Sequence, residues 1–221
     1  MRTKKVYCNL FLIIPILFSC NQTTSVSKPI MSTQKQLEMN AENLDTITLA
    51  GGCFWCVEAV YQQLNGVEKV ISGYTGGTIK NPAYREVCEG TTGHAEVAQI
   101  IYDRTKVSLK DILEVFFTVH DPTTLNRQGN DYGTQYRSGI FYNTEEQKLM
   151  SEDIIKRLDA AGAYDTKIVT EVTPLNIFYP AEDYHQNYYA QNSGEGYCQM
   201  VIQPKLEKFK KVFPDKVKRG L

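Results

Sequence analysis

Two cysteines three residues apart, Cys53 and Cys56, are the side chains of this chain best placed to do chemistry. Cys53 follows Gly51-Gly52, where a short β-branched strand pattern gives way to apolar residues with helical spacing. The free N–H groups and positive dipole end of a helix stabilise an anion at its start, so we expect the Cys53 thiol to ionise readily. A thiolate is the nucleophilic form of cysteine, and the Cys56 sulfur lies one helical turn away.

Other interpretations of this pair stay open on spacing alone. A free cysteine is often a small buried apolar residue, and the four thiols outside the N-terminal segment could also pair as two disulfides. C-x-x-C is half of a zinc site, but Cys88 and Cys198 stand alone and no second half follows, so no metal is predicted. C-x-x-C after a strand also suggests a thioredoxin-like oxidoreductase, with Pro174 as its active-site proline. A non-enzymatic, ligand-binding lipoprotein is a third alternative.

Two loops, residues 84–96 and 130–138, hold most of the concentrated polarity of the chain. Both end where strands are predicted to begin, so both can converge on one edge of a sheet. Glu96 precedes apolar strand residues, and a carboxyl group held against apolar neighbours has a raised pKa and can act as an acid. Tyr84 and Tyr136 add phenolic hydrogen-bond donors.

The elements that must position these groups alternate between strands and helices. Strand patterns cover residues 46–50, 67–74, 96–103, 139–142 and 167–173. Helical spacing and capping boxes predict helices from residue 54, over 109–119, from 144 to about 161, and over 181–191. The order β-α-β-β-α-β over residues 46–142 is a split βαβ pattern. We therefore predict an α+β fold, a two-layer sandwich of a mixed sheet and helices with a ferredoxin-like core and a C-terminal extension.

The N-terminal residues resemble an export signal. Residues 1–20 have a positive start, an apolar run too short for an ordinary membrane span, and an end that looks like a bacterial lipoprotein cleavage site, with Cys20 as the lipid-bearing residue. A plain secretory signal or an uncleaved anchor is the alternative. Residues 21–45 are polar and aperiodic, which predicts a flexible tether to a catalytic domain over 46–221. The predicted location is the bacterial cell envelope, with a membrane as partner through the lipid anchor.

Composition excludes one further class of partner. The 221-residue chain has a net charge of −1 and 42% hydrophobic residues, which is ordinary for a globular protein and unlike a nucleic-acid-binding one. The lysine-rich residues after 204 are interpreted as a solvated C-terminus with one covered face, to which Phe209 and Val212 can contribute.

Four segments resemble the signature blocks of the peptide methionine sulfoxide reductases, A type. They are GGCFWCVEAVY, GTTGHAEVAQI, HDPTTLNRQGNDYGTQYRSGIFY and YPAEDYHQNYY, and the resemblance covers about residues 46–204. It implies reduction of methionine S-sulfoxide, free or in oxidised proteins, through a cysteine sulfenic acid and an intramolecular disulfide. It also implies recycling by thioredoxin or a similar dithiol, without a cofactor.

The resemblance also implies roles for single residues. Cys53 is the nucleophile, and Phe54 and Trp55 form the pocket for the substrate methyl group. The residues implied to hold the sulfoxide oxygen or to belong to the same polar network are Glu96, Tyr84, Tyr136 and Asp131. The block that contains His185 is assigned packing rather than catalysis.

Two cysteines compete for the role of resolving Cys53. Cys198, in GYC, matches the resolving cysteine of the family, and we expect its Gly-containing segment, residues 192–198, to be flexible enough to swing to the site. Many family members carry Gly at the position of Cys56, so Cys53–Cys56 is an alternative route. Cys198 is the favoured one on sequence alone.

Overall fold

The computed structural model describes residues 42–219, which fold around one mixed sheet. The strands are β1 (Leu44–Gly51), β2 (Val67–Thr75), β3 (Ala95–Asp103), β4 (Arg127–Gln128), β5 (Asp131–Tyr132), β6 (Ser138–Tyr142), β7 (Glu171–Pro174) and β8 (Tyr179–Pro180). Six of them form a sheet in the order β7-β6-β1-β3-β2-β8, while β4 and β5 make a separate hairpin. Neighbours in the sheet are antiparallel except β6 and β7.

Helices pack against one face of this sheet. They are α1 (Phe54–Gln62), α2 (Tyr84–Cys88), α3 (Leu109–Val119), α4 (Glu145–Ala160), α5 (Tyr188–Asn192) and α6 (Gln203–Val212). A π-helical turn, Cys198–Ile202, leads directly into α6. The main core cluster joins buried residues of α1, α3 and α6 to the sheet, which confirms the α+β, sheet-and-helix prediction.

The alternation of strand β3 shows how the sheet presents side chains to the helices. Ala98, Ile100 and Tyr102 belong to the core cluster under the helices, whereas Ala95 and Val97 belong to a small cluster on the opposite face. Because side chains two residues apart share a face, Glu96 must point to the helix side as well. The strand therefore delivers one carboxyl group to the layer between the sheet and α1.

Local capping explains where two helices begin. The Asp111 amide donates to Ser108 Oγ at 3.1 Å, and the Gln147 amide donates to Thr144 Oγ1 at 3.2 Å. Both bonds satisfy an amide that the first turn of a helix leaves free. The predicted starts of α3 and α4 are confirmed.

Other predicted boundaries are wrong. Strand β1 starts at Leu44 rather than 46, because Leu44 and Asp45 pair with β3 and Asp45 accepts a 2.9 Å bond from the Tyr102 hydroxyl. Strand β7 starts only at Glu171, where pairing with β6 begins. The helix expected over 181–191 is interrupted at Asn187, which has φ +55°.

The predicted lipoprotein signal, Cys20 and residues 21–41 of the tether lie outside the described residues. The lipid anchor therefore stays a prediction. Within residues 42–219, no helix is long and apolar enough to cross a membrane.

Candidate active site

Cys53 lies between the end of β1 and the first turn of α1. Gly52 precedes it with φ +85°, and a Cβ there would stand 2.5 Å from Gln128 Cγ of β4, so this sharp approach requires glycine. Cys53 is the N-cap residue of α1, and the Cys56 amide donates to its carbonyl at 3.1 Å. The strand-to-helix placement expected for Cys53 is confirmed, and its side chain is buried.

The expected ready ionisation of Cys53 is wrong. Burial raises the pKa of Cys53 well above its usual value, and donation of its S–H to Cys56 raises it further. The first amide of α1, that of Phe54, donates to Glu96 Oε2 at 3.1 Å. It is therefore not available as a hydrogen-bond donor to a Cys53 thiolate. For Cys56, hydrogen bonding from Cys53 lowers the pKa to about 7 in spite of burial. Within this pair, ionisation is therefore favoured on Cys56 over Cys53.

Glu96 lies beside Cys53 on the helix-facing side of β3. Its side chain is only 2% exposed, and burial raises its pKa to about 8 although the Phe54 amide opposes the shift. The raised pKa expected from the apolar strand pattern is confirmed. At neutral pH this carboxyl group is mostly protonated and can donate a proton or a hydrogen bond.

Tyr84 and Tyr136 lie near the same carboxyl group. Burial raises the pKa of each phenol, and Glu96 is among the acidic groups that raise both pKa values further. The Tyr84 amide donates to Glu182 Oε1 at 3.0 Å, which ties the start of α2 to the loop before α5. Both phenols keep their protons at neutral pH and can serve as hydrogen-bond donors.

Aromatic side chains enclose the adjacent space. Phe54 is buried and its ring centroid lies 6.0 Å from that of Trp55 and 6.4 Å from that of Tyr84. Trp55 stacks on Tyr188 with centroids 3.7 Å apart. His185 is buried behind them, 4.2 Å from Tyr84 by ring centroid, and its packing role stays a prediction.

A buried carboxylate holds Tyr188 and its helix in place. Glu58 of α1 accepts bonds from the Asn187 amide at 2.9 Å and the Tyr188 amide at 3.2 Å. These bonds account for the left-handed Asn187 that interrupts the helix expected there. They fix the start of α5 against α1, and with it the outer wall of the aromatic space.

Asp131 contacts a residue near the two sulfurs that was not predicted. The Tyr197 hydroxyl donates its proton to Asp131 Oδ2 at 2.8 Å, and the nearby Tyr197 lowers the pKa of Cys53 and of Cys56. Tyr197 lies in the GYC block of the sequence. From that block, only Cys198 is predicted to take part in the reaction. Asp131 and Tyr197 are therefore joined to each other beside the two cysteines.

Cys198 lies in a helical turn rather than in a loop, and the flexibility expected of residues 192–198 stays a prediction. Residues 196–212 are continuously helical, and Cys198 is fully buried at the start of the π-helical turn. Ile202, Leu206 and Phe209 anchor this helical stretch in the core, which outweighs the conformational freedom of its glycines. The backbone of Cys198 is therefore held by this helical packing.

Disulfide pairing, metal binding and a thioredoxin-like role are the remaining alternatives for the cysteines. Cys53, Cys56, Cys88 and Cys198 are all free thiols in the structure. Nowhere in residues 42–219 are three or more His, Cys, Asp or Glu side chains grouped to hold a metal ion. The thioredoxin-like alternative fails, because Pro174 ends edge strand β7, which β6 separates from β1.

Comparison with known proteins gives a consistent result. Residues 45–217 match the family model for peptide methionine sulfoxide reductase. The peptide methionine sulfoxide reductase MsrA of Saccharolobus solfataricus is 53% identical over 175 residues, which cover 79% of this chain and 98% of the relative. The MsrA of Natronomonas pharaonis is 55% identical over 172 residues, which cover 78% and 97%.

Solved structures show the same likeness. Mxr1 from Saccharomyces cerevisiae in reduced form matches with a TM-score of 0.65 and 34% identity, over 71% of this chain and 90% of Mxr1. Methionine sulfoxide reductase A of Corynebacterium diphtheriae matches with a TM-score of 0.63 and 36% identity, over 72% and 79% of the two chains.

Proposed function

The chain belongs to the peptide methionine sulfoxide reductase family, and we propose that Cys53 is the residue with which it reduces the S epimer of methionine sulfoxide, free or in oxidised proteins. It is an oxidoreductase, and its product is methionine. The observation that carries the proposal is the placement of a buried thiol between a protonated carboxyl group, Glu96, and the aromatic pair Phe54 and Trp55.

Glu96 activates the substrate. A sulfoxide is a poor electrophile until its oxygen is protonated or strongly hydrogen-bonded. The Glu96 carboxyl group supplies that proton, and the hydroxyls of Tyr84 and Tyr136 donate to the oxygen as charge develops on it. Attack by the Cys53 sulfur then transfers the oxygen to Cys53, which becomes a sulfenic acid, and releases methionine.

Phe54 and Trp55 select the substrate. An aromatic wall favours binding of an uncharged methylthio group and does not stabilise a charged group. The wall fixes the methyl group, and Glu96 fixes the oxygen. The rest of the bound methionine must then extend toward solvent. Since sulfoxide sulfur is stereogenic, only one epimer satisfies these three constraints with its sulfur facing Cys53.

The first testable consequence concerns this stereochemistry. With resolved epimers of a methionine sulfoxide peptide and dithiothreitol as reductant, we expect turnover of the S epimer and none of the R epimer. Chromatographic quantification of methionine peptide from each epimer measures this. Equal rates for the two epimers would contradict the proposed arrangement of methyl group and oxygen.

Cys56 is the better placed resolving residue. It lies one helical turn from Cys53, and its amide donates to the Cys53 carbonyl at 3.1 Å, whereas Cys198 is held in a helical turn of another segment. We therefore propose that Cys56 attacks the sulfenic acid first, which reverses the order of preference reached from the sequence. Cys198 then serves as a second acceptor. An external dithiol of the thioredoxin type reduces the resulting disulfide by exchange.

The second prediction identifies that disulfide. One equivalent of substrate without reductant should give a Cys53–Cys56 bridge as the dominant species, which mass spectrometry of peptides can map. The Cys198→Ser protein should form the same bridge and be recycled by thioredoxin. If Cys53–Cys198 dominates instead, the preference for Cys198 reached from the sequence is right.

We also infer that the core of the fold is ferredoxin-like. The support is the strand order β6-β1-β3-β2, in which α1 connects β1 to β2 and α3 lies between β3 and β6. In this arrangement the segment after β1 and the start of β3 lie at the same edge, where Cys53 and Glu96 meet.

A further inference from the structure

Glu182 lies in the loop between β8 and His185, and its carboxylate joins two other segments of the site. Oε1 accepts a bond from the Tyr84 amide at 3.0 Å, and Oε2 accepts one from the Tyr74 hydroxyl at 2.9 Å. Tyr84 begins α2 and Tyr74 lies near the end of β2, so both donors are far from Glu182 in sequence. One side chain therefore holds three segments of the chain together.

The backbone that carries Glu182 is itself anchored to the sheet. On one side of it, the Ala181 amide donates to the Ser72 carbonyl of β2 at 2.9 Å. On the other side, the Gln186 side chain accepts from the Ser72 amide at 3.0 Å and donates to the Ser72 carbonyl at 2.9 Å. The carboxylate therefore starts from a fixed position, which a side chain needs if it is to hold another group in place.

Helix α2 depends on support of this kind. It has five residues, and so short a helix is not stable in isolation. The first amides of a helix have no partner within it, and Glu182 supplies the acceptor for that of Tyr84. At the other end of α2, the Gln135 side-chain amide donates to the Cys88 carbonyl at 3.0 Å. Glu182 therefore holds the end of α2 that carries the Tyr84 phenol.

Glu182 also sets part of the surroundings of the Tyr84 ring. Its carbonyl accepts a bond from the His185 amide at 2.9 Å, within the turn that carries the His185 ring. The centroid of that ring lies 4.2 Å from the centroid of the Tyr84 ring and 5.1 Å from that of Phe54. The amide of Tyr84 and a ring packed against its side chain are therefore both positioned by Glu182.

We propose that Glu182 is a positioning residue for sulfoxide reduction, which holds the Tyr84 phenol where it donates to the sulfoxide oxygen. The proposal rests on the proposed function above, because Tyr84 has this role only in that reaction. Glu182 acts through Tyr84 and takes no direct part in the chemical step. What it contributes is the pair of hydrogen bonds to Tyr84 and Tyr74, together with the placement of His185.

The size of the effect is limited by what the Tyr84 phenol contributes. Removal of one preorganised donor to a transition-state oxygen costs roughly 10²- to 10³-fold in rate. A displaced donor keeps part of its effect, so loss of Glu182 should cost less than loss of the phenol. The loss should appear in the rate of the chemical step rather than in substrate affinity, because the bond to the oxygen strengthens as charge develops there.

The third prediction is that Glu182→Ala slows a single turnover without reductant by roughly 10- to 10²-fold, as a misplaced donor would. In Glu182→Gln, the amide oxygen can accept from the Tyr84 amide while the NH₂ group donates to the Tyr74 hydroxyl oxygen. This variant should therefore keep most of the wild-type rate. Rapid-quench measurement of methionine formed per enzyme, over a range of substrate concentrations, gives the maximal rate and the half-saturating concentration, and the second should change little.

A double-mutant cycle with Tyr84→Phe tests whether Glu182 acts through the phenol. Tyr84→Phe keeps the ring and the amide bond to Glu182 but has no hydroxyl to donate. If Glu182 positions that hydroxyl, Glu182→Ala should cause no further slowing in the Tyr84→Phe protein. Equal slowing in both backgrounds would overturn the proposal, since Glu182 would then act on the site as a whole.

Two control variants test which contact of Glu182 matters. Tyr74→Phe removes the bond to Oε2 and leaves the bond from the Tyr84 amide, so it should slow the reaction less than Glu182→Ala does. Asp183→Ala removes an exposed carboxylate at the next position and should leave the rate unchanged. Thermal unfolding checks that each variant folds. Glu182→Asp, whose carboxyl group is one methylene shorter, enters the same cycle with the same expected direction if Glu182→Ala does not fold.

A wild-type rate in folded Glu182→Ala, or a Tyr74→Phe protein that is equally slow, would contradict the proposal. Glu182→Gln as slow as Glu182→Ala would do the same, because the negative charge would then matter rather than the bond to Tyr84. A wild-type rate in Tyr84→Phe would leave no donor to position. Failure of the proposed function is distinct from these results, because the wild type itself would then release no methionine.

Discussion

The Cys53→Ser protein is expected to fold like the wild type and to release no methionine from methionine sulfoxide. Serine fits the buried N-cap position after Gly52, so the core around α1 keeps its packing. Its hydroxyl is a far weaker nucleophile toward sulfur at neutral pH and cannot carry the oxygen as a sulfenic acid. Turnover with dithiothreitol and a single-turnover burst should both fall below detection.

A matched cysteine-to-serine control exists in the same region. Cys88 ends α2 and has no assigned step, and serine is close to cysteine in size. Cys88→Ser should retain most of the activity that Cys53→Ser loses, with similar thermal unfolding for both proteins. Substantial turnover by folded Cys53→Ser would rule out Cys53 as the nucleophile and move attention to the other sulfurs.

The parts of the fold that follow from local patterns could be predicted from the sequence. Ser108 and Thr144 cap helices through their own side chains, and the apolar alternation of β3 places Glu96 on the helix face. These signals lie within a few residues of the feature that they specify. Short elements such as β8 depend on distant partners, here Gly73 and Tyr74 of β2, and carry no comparable local signal.

The conformation of the segment around Cys198 also could not be predicted from its local sequence. Its glycines and polar residues suggest flexibility, and locally that is sound. Burial of Ile202 and Phe209 in the core decides the conformation instead, and this burial depends on α1 and α3. Tertiary packing overrides local preference at this position.

The ionisation of Cys53 could not be predicted from its helix position alone. The dipole and free amides at the start of α1 do favour an anion, but the Phe54 amide serves Glu96. Removal from water then dominates, since burial penalises a thiolate by more than one helix end compensates. Tyr197 escaped prediction because its contact with Asp131 joins parts of the chain far apart in sequence.

Replacement of Glu96 by glutamine should slow the chemical step by roughly the 10²- to 10⁴-fold that a positioned acid supplies. The glutamine amide can still donate a hydrogen bond to the sulfoxide oxygen, but it cannot transfer a proton. Burial raises the pKa of Glu96 to about 8, so the wild-type acid is in its working form below pH 8. The single-turnover rate should therefore fall as the pH rises through about 8, and Glu96→Gln should lack this alkaline limb.

The test requires the pH profile as well as the rate, because a mere disturbance of packing would lower the rate without removing the limb. Glu89→Gln, at an exposed position after α2, is the matched control and should keep both the rate and the limb. The measurement is the rapid-quench yield of methionine against time. It is repeated at roughly equal pH intervals from pH 6 to 9. A Glu96→Gln protein that retains the wild-type burst rate, or its alkaline limb, would show that another group protonates the oxygen, and the phenols of Tyr84 and Tyr136 would be the next to test.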